Sequence, residues 1–521
     1  MDNIRLQEIM RIIRLIGLVL IGMGPGTVQA GQLLQTQGLI VTIDDETGYI
    51  GPINVKNQLE GASQNVDLLV DGNLLSLDWL IQPHLHGNQI VRDGDGKSMV
   101  ESRYVNQGLT ILRQVSGGTS PYALSIRYEI TNASSEVVDL ASVLRPTFHF
   151  AEGFNEFVDE GGGYGAWVYA YRDLFVSNKN GAEKLDREEL KELPTLDPIQ
   201  WLGWVNRHHV MAIRLPHPQS VGIGVKDTFS NIEKSDKKVM PASLVLTFAQ
   251  ANQALPGQLM PGESTTIAFE SVIAPKQWDQ LSLVTPALDS VVLLNLWDWF
   301  RLICFAIWQL LNFLFTLSGS WGIAITLMAL VVRILIIPVT RISLQYQERA
   351  IQQQERIKPL VQRVREEYKG IELSQQLVTL YEREKYDQLA PFKGMLGLFI
   401  QIPVLIALFN VLGEASELSG VPFLWFNDLS LSDRLFPLGV DLPFFGAYFN
   451  LLPFLMAGIT VLSTCHAARI SSTNNTPTSS LFGMAALFLI LFYSFPSALV
   501  LYWLCSICFQ LLQQVLENKT K

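Results

Sequence analysis

Five apolar runs in the second half of the chain, at 321–340, 394–412, 443–463, 481–495 and 498–516, constrain its fold more than any other feature. A hydrocarbon layer about 30 Å thick takes about 20 helical residues, and inside it every backbone N–H and C=O must be satisfied within the protein. Such segments fold as a helical bundle in lipid. The fourth run is short for that layer, which implies local bilayer thinning. Only 17% of the 521 residues are charged, against about a quarter in soluble domains, and this points the same way.

Residues 31–290 are a second physical object. They carry 31 Asp and Glu against 19 Lys and Arg, a net −12, while the rest of the chain holds 17 against 19, a net +2. No strong basic patch exists to neutralise phosphates, which argues against a nucleic-acid role. Short runs such as Leu39–Ile43, Asp67–Val70, Leu124–Ile130 and Ser243–Phe248 alternate apolar with polar residues between turn-forming Gly, Asn, Asp and Pro. That period of two predicts antiparallel strands and a large β-sandwich. The charged stretch 182–193 is expected to form a short surface helix. Cys304, Cys465, Cys505 and Cys508 all lie in the apolar half; they read as small hydrophobes of membrane helices rather than as a disulfide or zinc framework.

The first thirty residues carry Arg5, Arg11 and Arg14, an apolar stretch at 15–23, and Val28-Gln29-Ala30. They predict a secretory signal peptide cleaved after Ala30; an uncleaved anchor is the alternative. Residues 291–318 are apolar but interrupted by Asn295, Asp298, Arg301, Gln309 and Asn312, with Trp297, Trp299 and Trp308 among them, which predicts a helix lying in the outer membrane interface. Residues 341–393 carry ten Lys and Arg, whereas 413–442 carries only Arg434 against five acids. Basic loops stay in the cytoplasm, so the β region is expected outside and the C-terminus inside. Two helix-forming stretches, 343–368 and 371–385, flank Gly370 and predict a cytoplasmic helical hairpin. The expected organisation is signal or anchor 1–30, exported sandwich 31–290, interfacial helix 291–318, five-span core 319–516 with its hairpin at 341–393, and a cytoplasmic tail 517–521.

Arg333 is the residue with most to say about function. It stands 12 positions after Trp321 and 8 before Arg341, about 18 Å and 12 Å of helix rise. An arginine at that depth costs at least about 2.5 kcal/mol unless water, a partner or thinned lipid receives it. None of the five runs contains an acidic residue, so a hydrated cavity is the simplest host; snorkelling to the inner interface, aided by Pro338, is the structural alternative. Thr326 projects on the same side of its helix, or simply bonds back to its own backbone. Gln401 and Pro403 interrupt the second run, and Tyr502, Ser506 and Gln513 recur at near-helical spacing in the fifth, as further candidate walls. Tyr502 and Trp503 read equally well as aromatic anchors. His84 and His86 share one strand face but make a weak metal signal alone, and His149, His208, His209 and His217 add no ligand spacing. No nucleotide loop, nucleophile elbow or zincin motif occurs. No enzyme activity, cofactor or metal is expected.

These residues carry a resemblance. Trp321-Gly322, Val332-Arg333 with Pro338-Val-Thr340, Ile357-Lys-Pro359, Gln401-Ile-Pro403, Phe423-Leu-Trp425 before Asp428-Leu-Ser430, and Phe495-Pro-Ser497 with Leu499-Val-Leu-Tyr502 are similar in order and spacing to the YidC-type membrane protein insertases of Gram-negative bacteria. The resemblance implies a multi-domain membrane protein of the inner membrane: a periplasmic all-β supersandwich and an α-helical core of five spans enclosing a hydrophilic groove. It implies nascent membrane proteins as partners, with polar or acidic parts received at Arg333 and spans leaving past Tyr502, Trp503 and the Gln401 to Pro403 region. The Sec translocon and phospholipids are further implied partners. The short tail, Glu517 to Lys521, leaves ribosome contact open, and Ala329 stands where the family often has a polar groove residue.

Two other functions fit the composition. A transporter or channel would use the same polar cavity, although no paired inverted repeat is visible. A periplasmic carbohydrate-binding domain on a membrane anchor would place the function outside the bundle.

Overall fold

The computed structural model describes residues 31–520 except 46–49, 57–64, 68–74, 80–83, 93–97, 107, 141–143, 150–161, 170, 179–180, 186–199, 215–220, 227–242, 249–257, 385–395 and 471–477. The signal or anchor expected at 1–30 lies outside these residues.

The β region is antiparallel throughout. Its largest sheet orders nine strands as Gly181–Leu185, Arg172–Asn178, Trp201–Asn206, His209–Arg214, Ser264–Pro275, Ala123–Asn132, Leu109–Gly117, Ser98–Asn106 and His84–Arg92. A four-stranded sheet is built from Gly31–Gln35, Leu39–Asp44, Ile50–Lys56 and Asn65–Asp67. Alternation decides the packing. Leu109, Ile111 and Val115 with Leu124, Ile126, Tyr128 and Ile130 are buried, and they share one core with Leu39, Val41, Ile43, Ile50 and Ile53; one face of each strand is covered and the other is left open. Trp201–Asn206 loses the alternation and is buried at every position. Its second face is covered too, for Val205 lines a small cavity together with Val291 and Leu293 of the segment that leaves the domain.

Most expected strands are present, and one expectation is corrected. Residues 182–185 are not helical: Gly181–Leu185 is the edge strand of the nine-stranded sheet, paired from Leu174↔Leu185 to Asn178↔Gly181. Ladder hydrogen bonds to a formed neighbour outweigh the helix propensity of its Glu and Lys. The remainder of 182–193 and the 68–70 end of another expected strand lie outside the described residues.

The helices are α1 (Gly163–Tyr169), α2 (Trp278–Val284), α3 (Asp298–Ser318), α4 (Trp321–Glu367), α5 (Gly370–Arg383), α6 (Leu396–Glu414), α7 (Leu452–Ile470), α8 (Thr478–Phe492) and α9 (Ser497–Thr520). Among the described residues, three stretches are long and apolar enough to cross a membrane: Asp298–Ser318, Trp321–Ser343 and Ser497–Leu516. Gln401–Glu414 and Leu452–His466 are shorter apolar helices. Helix α4 does not stop where the first apolar run ends at Arg341; it is 47 residues long in all, with Pro338 and Pro359 inside it, about 70 Å. Gly370, at φ 64°, separates it from α5, and Arg356 Nη2 donates to Glu384 Oε2 at 3.2 Å across this hairpin. The third run begins later than expected. Residues 443–449 belong to an antiparallel hairpin, Phe436–Leu442 with Gly446–Phe449, because Phe444 and Gly446 adopt positive φ, and Asp433 accepts the Leu452 N–H at the true helix start. The fourth run stops at Phe492, short of the expected Phe495.

One loop gathers the helix ends. Phe423 packs on Gly322 at the start of α4, and Asp433 caps the start of α7. Ser497 and Ala498, opening α9, donate to the Leu431 and Leu429 carbonyls at 2.7 and 3.0 Å. Asn450 Nδ2 donates to the Tyr493 carbonyl just beyond α8 at 2.8 Å. Helices α4, α7 and α9 therefore run away from this loop, whereas α6 and α8 run toward it. Helix α3 makes contacts along its length: Arg301 reaches the Ser290 carbonyl, Trp308 reaches Glu417 of the loop, and Phe315 stacks on Trp321 at 4.0 Å.

Candidate functional site

Arg333 is half-buried on α4, facing α9, and its Nε donates to Gln513 Oε1 at 3.1 Å. Two turns earlier Thr326 bonds back to the Gly322 carbonyl at 3.0 Å and accepts from Cys505 Sγ at 3.7 Å. These contacts fix α4 and α9 as parallel neighbours, since Thr326 to Arg333 and Cys505 to Gln513 advance together. The hydroxyl of Thr326 thus satisfies its own helix, the simpler of its two expected uses, and also touches α9.

The other candidates distribute as follows. Tyr502 is fully buried, within range of the field of Arg333. Trp503 is half-buried and stacks on Phe492 at 5.6 Å, so it ties α9 to α8 rather than turning toward Arg333. Ser506 is half-buried on α9. Gln401 and Pro403 are half-buried on α6, which packs against both α4 and α9. Three helices thus carry the candidate residues. The sequence also overlooked Ser463 on α7, whose Oγ lies 3.5 Å from Gln514 Oε1 and extends the polar contacts of α9; a serine in an apolar helix carries no signal until its neighbour is known.

A second polar cluster lies where the β domain meets the helices, and it had no sequence signature. Lys276, at the end of the last strand, places Nζ 2.6 Å from Glu414 Oε2, with its side chain 1% exposed. Tyr171 accepts from that ammonium at 2.6 Å and donates to the same carboxylate at 2.8 Å. Burial works against the charge on Lys276, and Glu414 opposes that effect. Burial, then Glu414, raises the Tyr171 phenol well above its ordinary range, so it stays a donor. Arg207 donates to the Gly413 carbonyl at 2.8 Å and to the Ser430 carbonyl at 2.6 Å while lying over the Tyr169 ring. Tyr169 in turn donates to the Phe409 carbonyl. Fully desolvated charges of this kind are tolerated because each finds hydrogen-bond partners. His208 and His209 sit in the turn beside Arg207, their backbone N–H groups bonded to Asn206 Oδ1. Burial and then Lys276 push the His209 imidazole down to about 4, a neutral structural histidine. His84 and His86 lie on one strand, whose register shifts between Leu85 and Gly87. Among the described residues no three His, Cys, Asp or Glu gather as a metal site.

A β domain bonded through a buried ion pair and a buried arginine to the loop end of an apolar helix bundle defines a class: a membrane protein with a folded β domain outside its helical core. Two family descriptions match consecutive parts of the chain, the YidC periplasmic domain over residues 41–307 and the 60Kd inner membrane protein over residues 313–521. The chain belongs to the YidC family. It is 33% identical over 408 residues to the membrane protein insertase YidC of Syntrophobacter fumaroxidans, covering 76% of this chain and 66% of that protein. To the protein of the same name from Francisella philomiragia it is 26% identical over 440 residues, covering 82% and 71%. It spans about two thirds of the length of these curated relatives. The crystal structure of YidC from Thermotoga maritima aligns at TM-score 0.30 and 14% identity, covering 93% of this chain and 99% of that one.

Proposed function

We propose that this chain is a membrane protein insertase that works without covalent chemistry or nucleotide hydrolysis. The observation that carries the proposal is the Arg333–Gln513 contact: a guanidinium about midway along an apolar helix, held by a neutral carboxamide. The contact sets a guanidinium inside an apolar run that carries no acidic residue of its own. In a recess bounded by α4, α6 and α9 and wetted from the cytoplasmic side, Arg333 stabilises a transient acidic or polar segment of a nascent chain. The distance that segment travels unsolvated is shortened, and burial of the client's apolar span in lipid supplies the driving force. Thr326, Gln401, Pro403, Tyr502, Trp503 and Ser506 line or border the client's path.

Five spans are proposed for α4, α6, α7, α8 and α9. Their alternating direction from a shared loop supports this, as do the ten Lys and Arg of 341–393, which begin where the apolar part of α4 ends and favour the cytoplasmic side for that end. Helix α3 is proposed to lie in the periplasmic interface; its Trp-rich, charge-interrupted sequence and the Trp308–Glu417 contact to the loop support this over a crossing. The names of the relatives support the activity. The Sec translocon and phospholipids are its proposed companions.

Site-specific photo-crosslinking tests the path. Crosslinkers at positions 326, 401 and 502 should capture a stalled nascent membrane protein, and one at Leu124, buried in the sandwich, should not. Capture absent at all three helix positions would reject it.

A further inference from the structure

We infer that the β domain holds a lipid-facing surface of its own, and that α1 and the hairpin 436–449 seat together in the outer-leaflet interface. The inference rests on the membrane placement proposed above, not on insertase activity.

Helix α1 contains no charged residue. Its buried face, Gly165, Ala166 and Tyr169, is turned to the helical core, where the Gly165 N–H donates to Ser494 Oγ at 2.8 Å. Its opposite face is apolar as well: Tyr164, Trp167 and Val168, at i, i+3 and i+4, are 43%, 73% and 37% exposed. Tyr164 stacks on Phe444 of the hairpin at 4.9 Å, and its N–H donates to the Phe444 carbonyl at 2.9 Å. The strand Phe436–Leu442 is exposed at every position and has one charge, Asp441. Two elements from different domains thus present one continuous apolar surface, with Phe436, Leu438, Val440 and Leu442 extending it. In water such a patch is unfavourable and invites aggregation.

The occupant follows from its position. The patch sits where α7 starts and α8 ends, since Phe436 stacks on Phe449, Phe449 on Phe454 of α7, and Phe445 meets Tyr493 edge-on. It is continuous with the outward-facing Phe454 and Leu455, and with Leu491 of α8. Trp and Tyr at the end of a span favour the headgroup boundary, where a ring is buried and its polar edge stays wet. A lipid interface therefore fits this surface, and it anchors the sandwich directly over the bundle.

Fluorine NMR on the full chain in nanodiscs, labelled with 5-fluorotryptophan, tests this. Trp167→Phe assigns one resonance, and parallel Trp→Phe variants assign Trp503 of α9 and Trp204, which is buried in the sandwich. A nitroxide on the lipid chain just below the headgroup should broaden Trp167 at least twice as much as Trp204, and broaden Trp503 too. Trp167 untouched by the lipid nitroxide but broadened by a water-soluble gadolinium chelate, with Trp503 still broadened, overturns this inference alone. Trp167 protected from both probes would mean that another protein or a second copy covers it, and overturns it equally. Trp503 also untouched by the lipid probe would reject the membrane placement beneath it.

Discussion

Arg333 on α4 donates through Nε to Gln513 Oε1 on α9 at 3.1 Å, joining two parallel helices by a charge–amide contact. Polar contacts between membrane helices contribute about 0.6 kcal/mol on average and at most about 1.7. Gln513→Leu should therefore lower the melting temperature of the purified chain only slightly. Gln513→Glu supplies the counter-charge that the apolar runs lack. It should keep or raise the melting temperature yet slow the insertion of a client with an acidic translocated segment at least several-fold. Unchanged insertion by the Glu variant would show that the charge of Arg333 is not used.

The Lys276–Glu414 pair joins the two domains with both side chains largely out of water. Removing one partner of a buried pair strands the other, at about 3 to 5 kcal/mol. Lys276→Met should lower the melting temperature sharply, and Lys276→Met with Glu414→Leu should recover part of the loss. A thermal-unfolding double-mutant cycle reads this, and strictly additive effects would contradict it.

Burial pushes the Glu417 carboxyl up from 4.5 to about 6, even though Trp308 donates to it at 2.9 Å. Between those pH values the native chain binds more protons than the unfolded one, so the stability this group contributes is present below 4.5 and lost as pH rises through 6. The effect is about 2 kcal/mol. Glu417→Gln lacks it, so the variant should gain on the wild type as pH goes from 4.5 to 7. Melting curves at both pH values check the sign; a constant difference would contradict it.

Glycines at the junction are placed for contact. A Cβ on Gly165 would fall 2.0 Å from the Ser494 carbonyl oxygen, whereas one on Gly458 of α7 meets nothing within 4 Å. Gly165→Ala should loosen the domain junction and expose it to limited proteolysis, while Gly458→Ala should leave the digestion pattern unchanged. Equal patterns would count against the packing described.

The helical half was more legible in the sequence than the junction. Apolar length and the basic loop suffice to mark α4, α6 and α9, because a chain in lipid leaves its backbone little choice. The run at 443–449 misled because apolar hairpin and apolar helix look alike by composition; positive φ at Phe444 and Gly446 separates them. Arg333 stood out by its depth alone. Lys276, Tyr171, Arg207 and Glu414 were ordinary polar residues until two domains brought them within 3 Å of their partners. Such a cluster is assembled from distant positions and has no local spacing to read.

Insertion assays in proteoliposomes with wild type, Arg333→Lys and Arg333→Ala, using clients that differ only in acidic or neutral translocated segments, test the central claim most directly. Arg333→Ala should lose at least about tenfold in rate on the acidic client, Arg333→Lys much less, and the neutral client should be affected least. Equal rates on the acidic client for wild type and Arg333→Ala would contradict it.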